Sequence, residues 1–152
     1  MHVVLVEPEI PANTGNIART CAATGATLHL IKPLGFSTED RYLKRAGLDY
    51  WNLVRVLYHD SFGEFAASYR GCRFYLATTK ARRLYTEVSY EPGSCLVFGK
   101  ETKGLPPEIL DGYPDGQIRV PMIDGARSLN LANAVAVVLY EALRQQGFPG
   151  LK

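Results

Sequence analysis

The chain has 152 residues, 47% apolar and 21% charged, with a formal net charge of +2. That length suits a single domain, 1–152, with a sizeable core; the balance is ordinary for a globular chain, and the net charge is too small to demand a polyanionic partner. Cys21, Cys72 and Cys95 are odd in number and lack paired spacing, which points to free thiols in a reducing compartment rather than disulfides or zinc ligands.

No segment reaches the roughly 18 apolar residues of a membrane span. The start, Met1 to Val6, carries no basic leader and runs straight into a strand, so the expectation is a cytoplasmic protein with no membrane partner. His2, His29 and His59 are scattered, with no carboxylate or cysteine at ligand spacing, and read as structural or surface residues; no metal is expected.

In chain order, strand-like runs fall at Val3–Val6, Leu28–Ile31, Leu53–Tyr58, Phe74–Ala77, Cys95–Phe98 and Ile118–Val120. Helical patterns alternate with them. After Asn13, residues Ile17, Cys21 and Ala22 share one face, and Gly25 is a C-terminal stop. Ser37 to Asp40 and Ser61 to Glu64 both fit a capping box. Alternation of this kind predicts an α/β fold, a mainly parallel sheet with helices on both faces.

The last helix, expected from Leu129 to about Gln146, is apolar on two sides. Leu131, Val135, Val138, Leu139 and Ala142 form one stripe, and Ala134, Val137 and Leu143 lie opposite. Such a helix needs cover on more than one side. A homodimer supplies it; complete burial within one chain is the alternative.

Three polar loops follow strand ends: Asn13–Arg19, Gly99–Gly104 and Ser128–Asn133. Ligands of α/β proteins bind at the carboxyl ends of strands, so the three predict one composite site. In the first loop, Asn13 reads as a helix cap and Arg19 as a phosphate grip, against the plainer reading of an ordinary capped helix. In the second, two glycines let the backbone curl around a flat ligand such as a nucleobase, and Glu101 is either a base or orienting carboxylate, or a solvated loop residue. Neither a phosphate-binding Gly-Lys-Ser/Thr ending nor a Gly-x-Gly-x-x-Gly fingerprint is present, which disfavours nucleotide hydrolysis and nicotinamide binding. In the third, Ser128 reads as the cap of the last helix, with Asn130 in its first turn. Basic clusters at Arg41, Lys44 and Arg45, at Lys80, Arg82 and Arg83, and at Lys100 and Lys103 could meet phosphates or simply be solvated faces.

Together and in this order, the loops resemble the three signature motifs of the SPOUT superfamily of RNA methyltransferases. Glu9-Ile-Pro-Ala-Asn-Thr-Gly-Asn16, Arg45-Ala-Gly-Leu-Asp-Tyr50 and Arg127-Ser-Leu-Asn-Leu-Ala-Asn-Ala-Val135 are similar to the compact TrmL/YibK group, which methylates the wobble ribose of tRNA at cytidine or uridine 34. The resemblance runs the length of the chain. It implies a SPOUT fold with a deep C-terminal trefoil knot, which no periodicity would reveal. It implies S-adenosylmethionine as methyl donor, held near Ala77, Gly99, Val120, Ser128 and Leu129. It also implies a reacting centre of Asn13, Arg19, Glu101, Ser128 and Asn130, with Arg19 as either general base or phosphate anchor, and a homodimer formed partly through the C-terminal helix. The implied partner is the anticodon loop of tRNA. Lys100 departs from the family pattern, which often has a small residue or proline there. A ribose methyltransferase of another tRNA or ribosomal RNA site is the nearest alternative, and a non-catalytic RNA binder the more distant one.

Overall fold

The computed structural model describes residues 1–39, 41, 43, 45 and 50–152. Asp40 of the first expected capping box, Lys44 of the first basic cluster, and residues 46–49 of the Arg45–Tyr50 stretch lie outside the described residues.

Among the described residues, six parallel strands form one sheet: β1 (His2–Val6), β2 (Thr27–Ile31), β3 (Val56–His59), β4 (Phe74–Ala77), β5 (Cys95–Phe98) and β6 (Gln117–Ile118), in the order β3-β2-β1-β5-β4-β6. The central strands β1 and β5 are buried on both faces, which is why they read as unbroken apolar runs rather than alternating ones. On one face Val3, Leu5, Leu96 and Phe98 pack against helices α1 (Pro11–Thr24) and α4 (Leu131–Gln145). On the other, Val4, Val6, Cys95 and Val97 pack with Phe65 of α2 (Phe62–Ser68) and Ile109 of the short α3 (Pro107–Asp111). The expected α/β architecture with helices on both faces is therefore present.

Local signals explain most of the boundaries. Ile17, Ala18 and Cys21 of α1 are fully buried, and the chain leaves the helix at Gly25 with φ 70°, a left-handed conformation that glycine adopts without strain. Ser61 caps α2 by accepting from Glu64 N, while the Glu64 carboxylate accepts from Asp60 N, one residue ahead of the usual capping-box partner. The expected Leu53–Tyr58 strand is shorter than its apolar run. Trp51–Leu53 form a 3-10 turn in which Leu53 N and Val54 N both donate to Tyr50 O, leaving Leu53 71% exposed. The last strand likewise stops at Ile118, because Arg119 bonds instead to the loop at Arg83 and Tyr85.

Two of the expected side-chain caps, Asn13 and Ser128, need correction. Pro11 starts α1 with Ile10 at the N-cap, so Asn13 lies inside the first turn and does not cap it. Helix α4 starts at Leu131, and its cap is Asn130, which accepts from Ala132 N and Asn133 N; Ser128 lies two residues outside. In α1, proline at the first helical position, with no N–H to satisfy, moves the start ahead of the polar residue.

The three histidines meet in space. His2 Nδ1 lies 2.9 Å from His29 Nε2, and His29 Nδ1 lies 2.9 Å from His59 Nε2, forming a hydrogen-bonded chain across β1, β2 and β3. Phe65 and Tyr69 cover its centre, each with its ring centroid 5.0 Å from that of His29. Burial, aided by the neighbouring His2, His59 and Arg55, pushes His29 down to about 3. His2 and His59 are also lowered, chiefly by burial.

Cys21, Cys72 and Cys95 are free. Burial raises the Cys21 and Cys95 thiols to about 12, so neither is a nucleophile near neutral pH. Among the described residues, no helix is long and apolar enough to cross a membrane.

Candidate active site

The order of strands reverses around β1 and β5, and a crevice at such a switch point is where open α/β sheets bind ligands. Loops leaving these two strands are stitched together there. Glu101 in the β5–α3 loop reaches the head of α1, where one carboxylate oxygen accepts from Glu9 N at 2.8 Å. Its other oxygen accepts from Ile10 N and Asn13 Nδ2, both at 3.1 Å. Glu9 reciprocates by accepting from Thr102 N and Thr102 Oγ1. Lys100 Nζ donates to Glu7 across 2.6 Å, a bond that raises the lysine above its ordinary range. This pairing accounts for the unusual lysine: its ammonium is engaged by a carboxylate of the neighbouring loop.

The same network extends to the third loop. Asn130 Nδ2 donates to Asn13 Oδ1 at 3.0 Å, while Asn130 Oδ1 caps α4. The direction is forced throughout. An ionised carboxylate only accepts, so Asn13 must turn its amide nitrogen to Glu101 and its oxygen to Asn130. Asn130 must then turn its own oxygen to the helix. Glu101, Asn13 and Asn130 thus form one oriented polar chain, with Asn13 only 6% exposed.

Beside this chain lies a cavity of about 580 Å³. Asn13, Ala77, Gly99, Glu101, Val120, Ser128, Leu129 and Asn130 all contribute to its wall. Gly99 is indispensable there, because a Cβ at this position would lie 2.0 Å from Gly104 C and 2.2 Å from Leu105 N. The loop consequently folds back on itself, and Gly104 takes φ 68° to make the turn. Apolar walls from Phe98, Leu105, Val120 and Leu131, with a few polar groups at the edges, suit a flat heterocycle joined to a polar tail. Among the described residues, no group of three or more histidine, cysteine or acidic side chains could hold a metal ion.

Arg19 is placed differently. It lies on the exposed side of α1 and is not part of the cavity wall. Its guanidinium sits 4.6 Å from the ring centroid of Tyr50, with Nη2 3.5 Å from the phenol oxygen. Conversely, Lys80, Arg127 and Met122 line the cavity although none was singled out as a site residue. Arg127 adjoins Ser128, so its place in the third motif was the available signal. Lys80, Lys103 and Arg127 make the cavity wall basic.

Comparison with known proteins agrees with this geometry. The model of the SpoU rRNA Methylase family matches residues 1–140. An Escherichia coli protein named tRNA (cytidine(34)-2′-O)-methyltransferase is 50% identical, over 99% of this chain and 96% of that protein. A solved structure concerned with 2-OH methylation of C/U34 on tRNA superposes with a TM-score of 0.91 at 47% identity, covering 96% of this chain and 95% of that one. The methyltransferase AviRb from Streptomyces viridochromogenes, solved with its cofactor AdoMet, superposes with a TM-score of 0.84 at 26% identity, covering 96% of this chain and 60% of that one. On its fold, its motif residues and its matched length, the chain belongs to the SpoU rRNA methylase family.

Proposed function

We propose that the protein methylates the ribose 2′-hydroxyl of the wobble nucleotide of tRNA, cytidine or uridine 34, with S-adenosylmethionine as donor. One observation carries this reading: apart from Arg19, every motif residue expected at the site meets in a single cavity of a chain 50% identical to a wobble-ribose methyltransferase over nearly its whole length.

Once bound, the donor supplies a methyl group on a sulfonium centre, open to attack by an oxygen nucleophile. The chain's task is alignment, which can account for several kcal/mol of the barrier in such two-substrate reactions. The chain Glu101–Asn13–Asn130 fixes the head of α1 against that of α4 and so holds the walls of the cavity at constant spacing. Three donors from the head of α1 already bond to the Glu101 oxygens, which supports an orienting role for this carboxylate. A guanidinium is a poor proton acceptor. We therefore read Arg19 as an anchor for RNA phosphate, with phosphate oxygen or solvent taking the proton. Glu7 draws the Lys100 ammonium to itself, which limits repulsion between that charge and a sulfonium.

A homodimer belongs to the same reading. Val137 and Tyr140 on α4 remain 37% and 45% exposed, and Arg19 lies off its own chain's cavity wall, both of which support a second copy against this side. The deep C-terminal knot is proposed from family membership, and the way Gln145 of α4 bonds to Tyr90 N and Val88 O, in the connection between β4 and β5, is consistent with a C-terminus held against that connection. Three free thiols, two of them buried, support a cytoplasmic setting.

The test is methyl transfer from labelled donor to two synthetic anticodon stem-loops, identical except for a 2′-deoxyribose at position 34. Transfer to the ribose form alone supports the proposal; equal labelling of both removes it.

A further inference from the structure

We propose that Tyr50 is the positioning residue for Arg19, setting the plane of its guanidinium for the acceptor RNA. The inference rests on the role given to Arg19 above. An arginine on an exposed helix surface samples many rotamers, and that freedom must be lost before it can grip a phosphate in one geometry. Arg19 is exposed, yet its guanidinium lies over the Tyr50 ring at 4.6 Å, within the range of a cation–π contact. The phenol oxygen adds an acceptor 3.5 Å from Nη2 at the limit of hydrogen bonding. One face of the guanidinium is thereby covered, and its remaining N–H groups stay available for the forked contact that arginine makes with phosphate.

Tyr50 is itself well held. Its carbonyl accepts from Leu53 N and Val54 N in the turn that precedes β3. Val54 belongs to the core, and Trp51 packs against it. The ring is therefore carried by a backbone tied to the sheet, and it transfers that rigidity to a side chain that α1 alone leaves free. Sequence distance hides the pair, since 31 residues separate them.

The test is a kinetic cycle on the full-length protein: unmodified, Arg19→Ala, Tyr50→Leu, Tyr50→Phe, and Arg19→Ala with Tyr50→Leu. Transfer to an anticodon stem-loop and donor affinity are measured for each. Tyr50→Leu should lower kcat/KM for the stem-loop about tenfold, as expected for loss of one ring contact that orients an anchoring group, with donor affinity unchanged. Tyr50→Phe, which keeps the ring, should restore most of the rate. Adding Tyr50→Leu to Arg19→Ala should cost nothing more. An undiminished rate for Tyr50→Leu overturns the proposal, as does the same loss in both arginine backgrounds, which marks a purely structural tyrosine. Full activity of Arg19→Ala overturns it by a different pattern, because the Arg19 role above then fails first. Absence of transfer by the unmodified protein fails the methyltransferase reading and this proposal with it.

Discussion

Asn130 Nδ2 donates to Asn13 Oδ1 across 3.0 Å, joining the starts of two helices through residues 117 positions apart. Because Asn13 must present its nitrogen to Glu101, neither amide can flip without breaking a bond elsewhere. The contact ties the start of α4 to the head of α1, and it gives the wall of the cavity a single arrangement.

Asn130→Asp tests that directionality. The aspartate still caps α4, since capping needs only a side-chain oxygen. Facing Asn13 Oδ1, however, it opposes acceptor to acceptor. Methyl transfer should fall by about tenfold or more, the scale of a lost orienting contact, with a loss of about 1–3 kcal/mol of stability from the mismatched acceptors. A variant with normal kcat would show that the amide pair has no part in alignment.

Glu101→Gln replaces one accepting oxygen by a donor that faces backbone N–H groups or Asn13. The loss should be about 1–3 kcal/mol of stability, the usual range for a hydrogen-bonded charged group left mismatched. Chemical denaturation measures it directly. An unchanged midpoint would mean that the bonds at the head of α1 contribute nothing net to folding.

Gly99→Ala should open the loop that closes on Gly104. With Cβ 2.0 Å from backbone carbon, something must shift, and no side-chain rotation relieves the clash. Calorimetry should find affinity for S-adenosylmethionine reduced at least tenfold, roughly 1.4 kcal/mol. Wild-type affinity would place the donor elsewhere.

The histidine chain makes stability depend on pH. Folding holds His29 neutral down to about 3, with His2 and His59 also lowered. In the unfolded chain a histidine takes up a proton near 6.5. Below that value the unfolded state binds more protons than the folded one, so stability falls as pH drops from about 6.5 toward 3. Thermal unfolding midpoints should decline over this window. His29→Leu should flatten the decline, whatever its effect on stability near neutral pH. A decline of unchanged slope would assign the acid sensitivity to other groups.

What could be read from the sequence was local. Cys95–Phe98 and Phe74–Ala77 stand as strands at the boundaries expected, because continuous apolar runs of strand length have few other uses in an α/β chain. Gly25 ended its helix as glycine commonly does. What escaped depends on tertiary neighbours. Leu53 has strand character, but Tyr50 O draws the N–H groups of Leu53 and Val54 into a turn. The head of α1 is served by Glu101, a residue from another loop, so no nearby polar side chain marks it. Three histidines without local pattern meet because the parallel register sets them on one sheet face. That Asn13, Glu101, Ser128 and Asn130 would come together at one cavity was legible through motif order, yet the position of Arg19 off the cavity wall, against Tyr50, was not.

The most direct test of the account is to label total tRNA, from cells lacking the corresponding activity, with methyl-labelled S-adenosylmethionine and this protein, then map the label by nuclease digestion and mass spectrometry. The account predicts a single 2′-O-methyl group on nucleotide 34. Label confined to another nucleotide, or to a base, would contradict it.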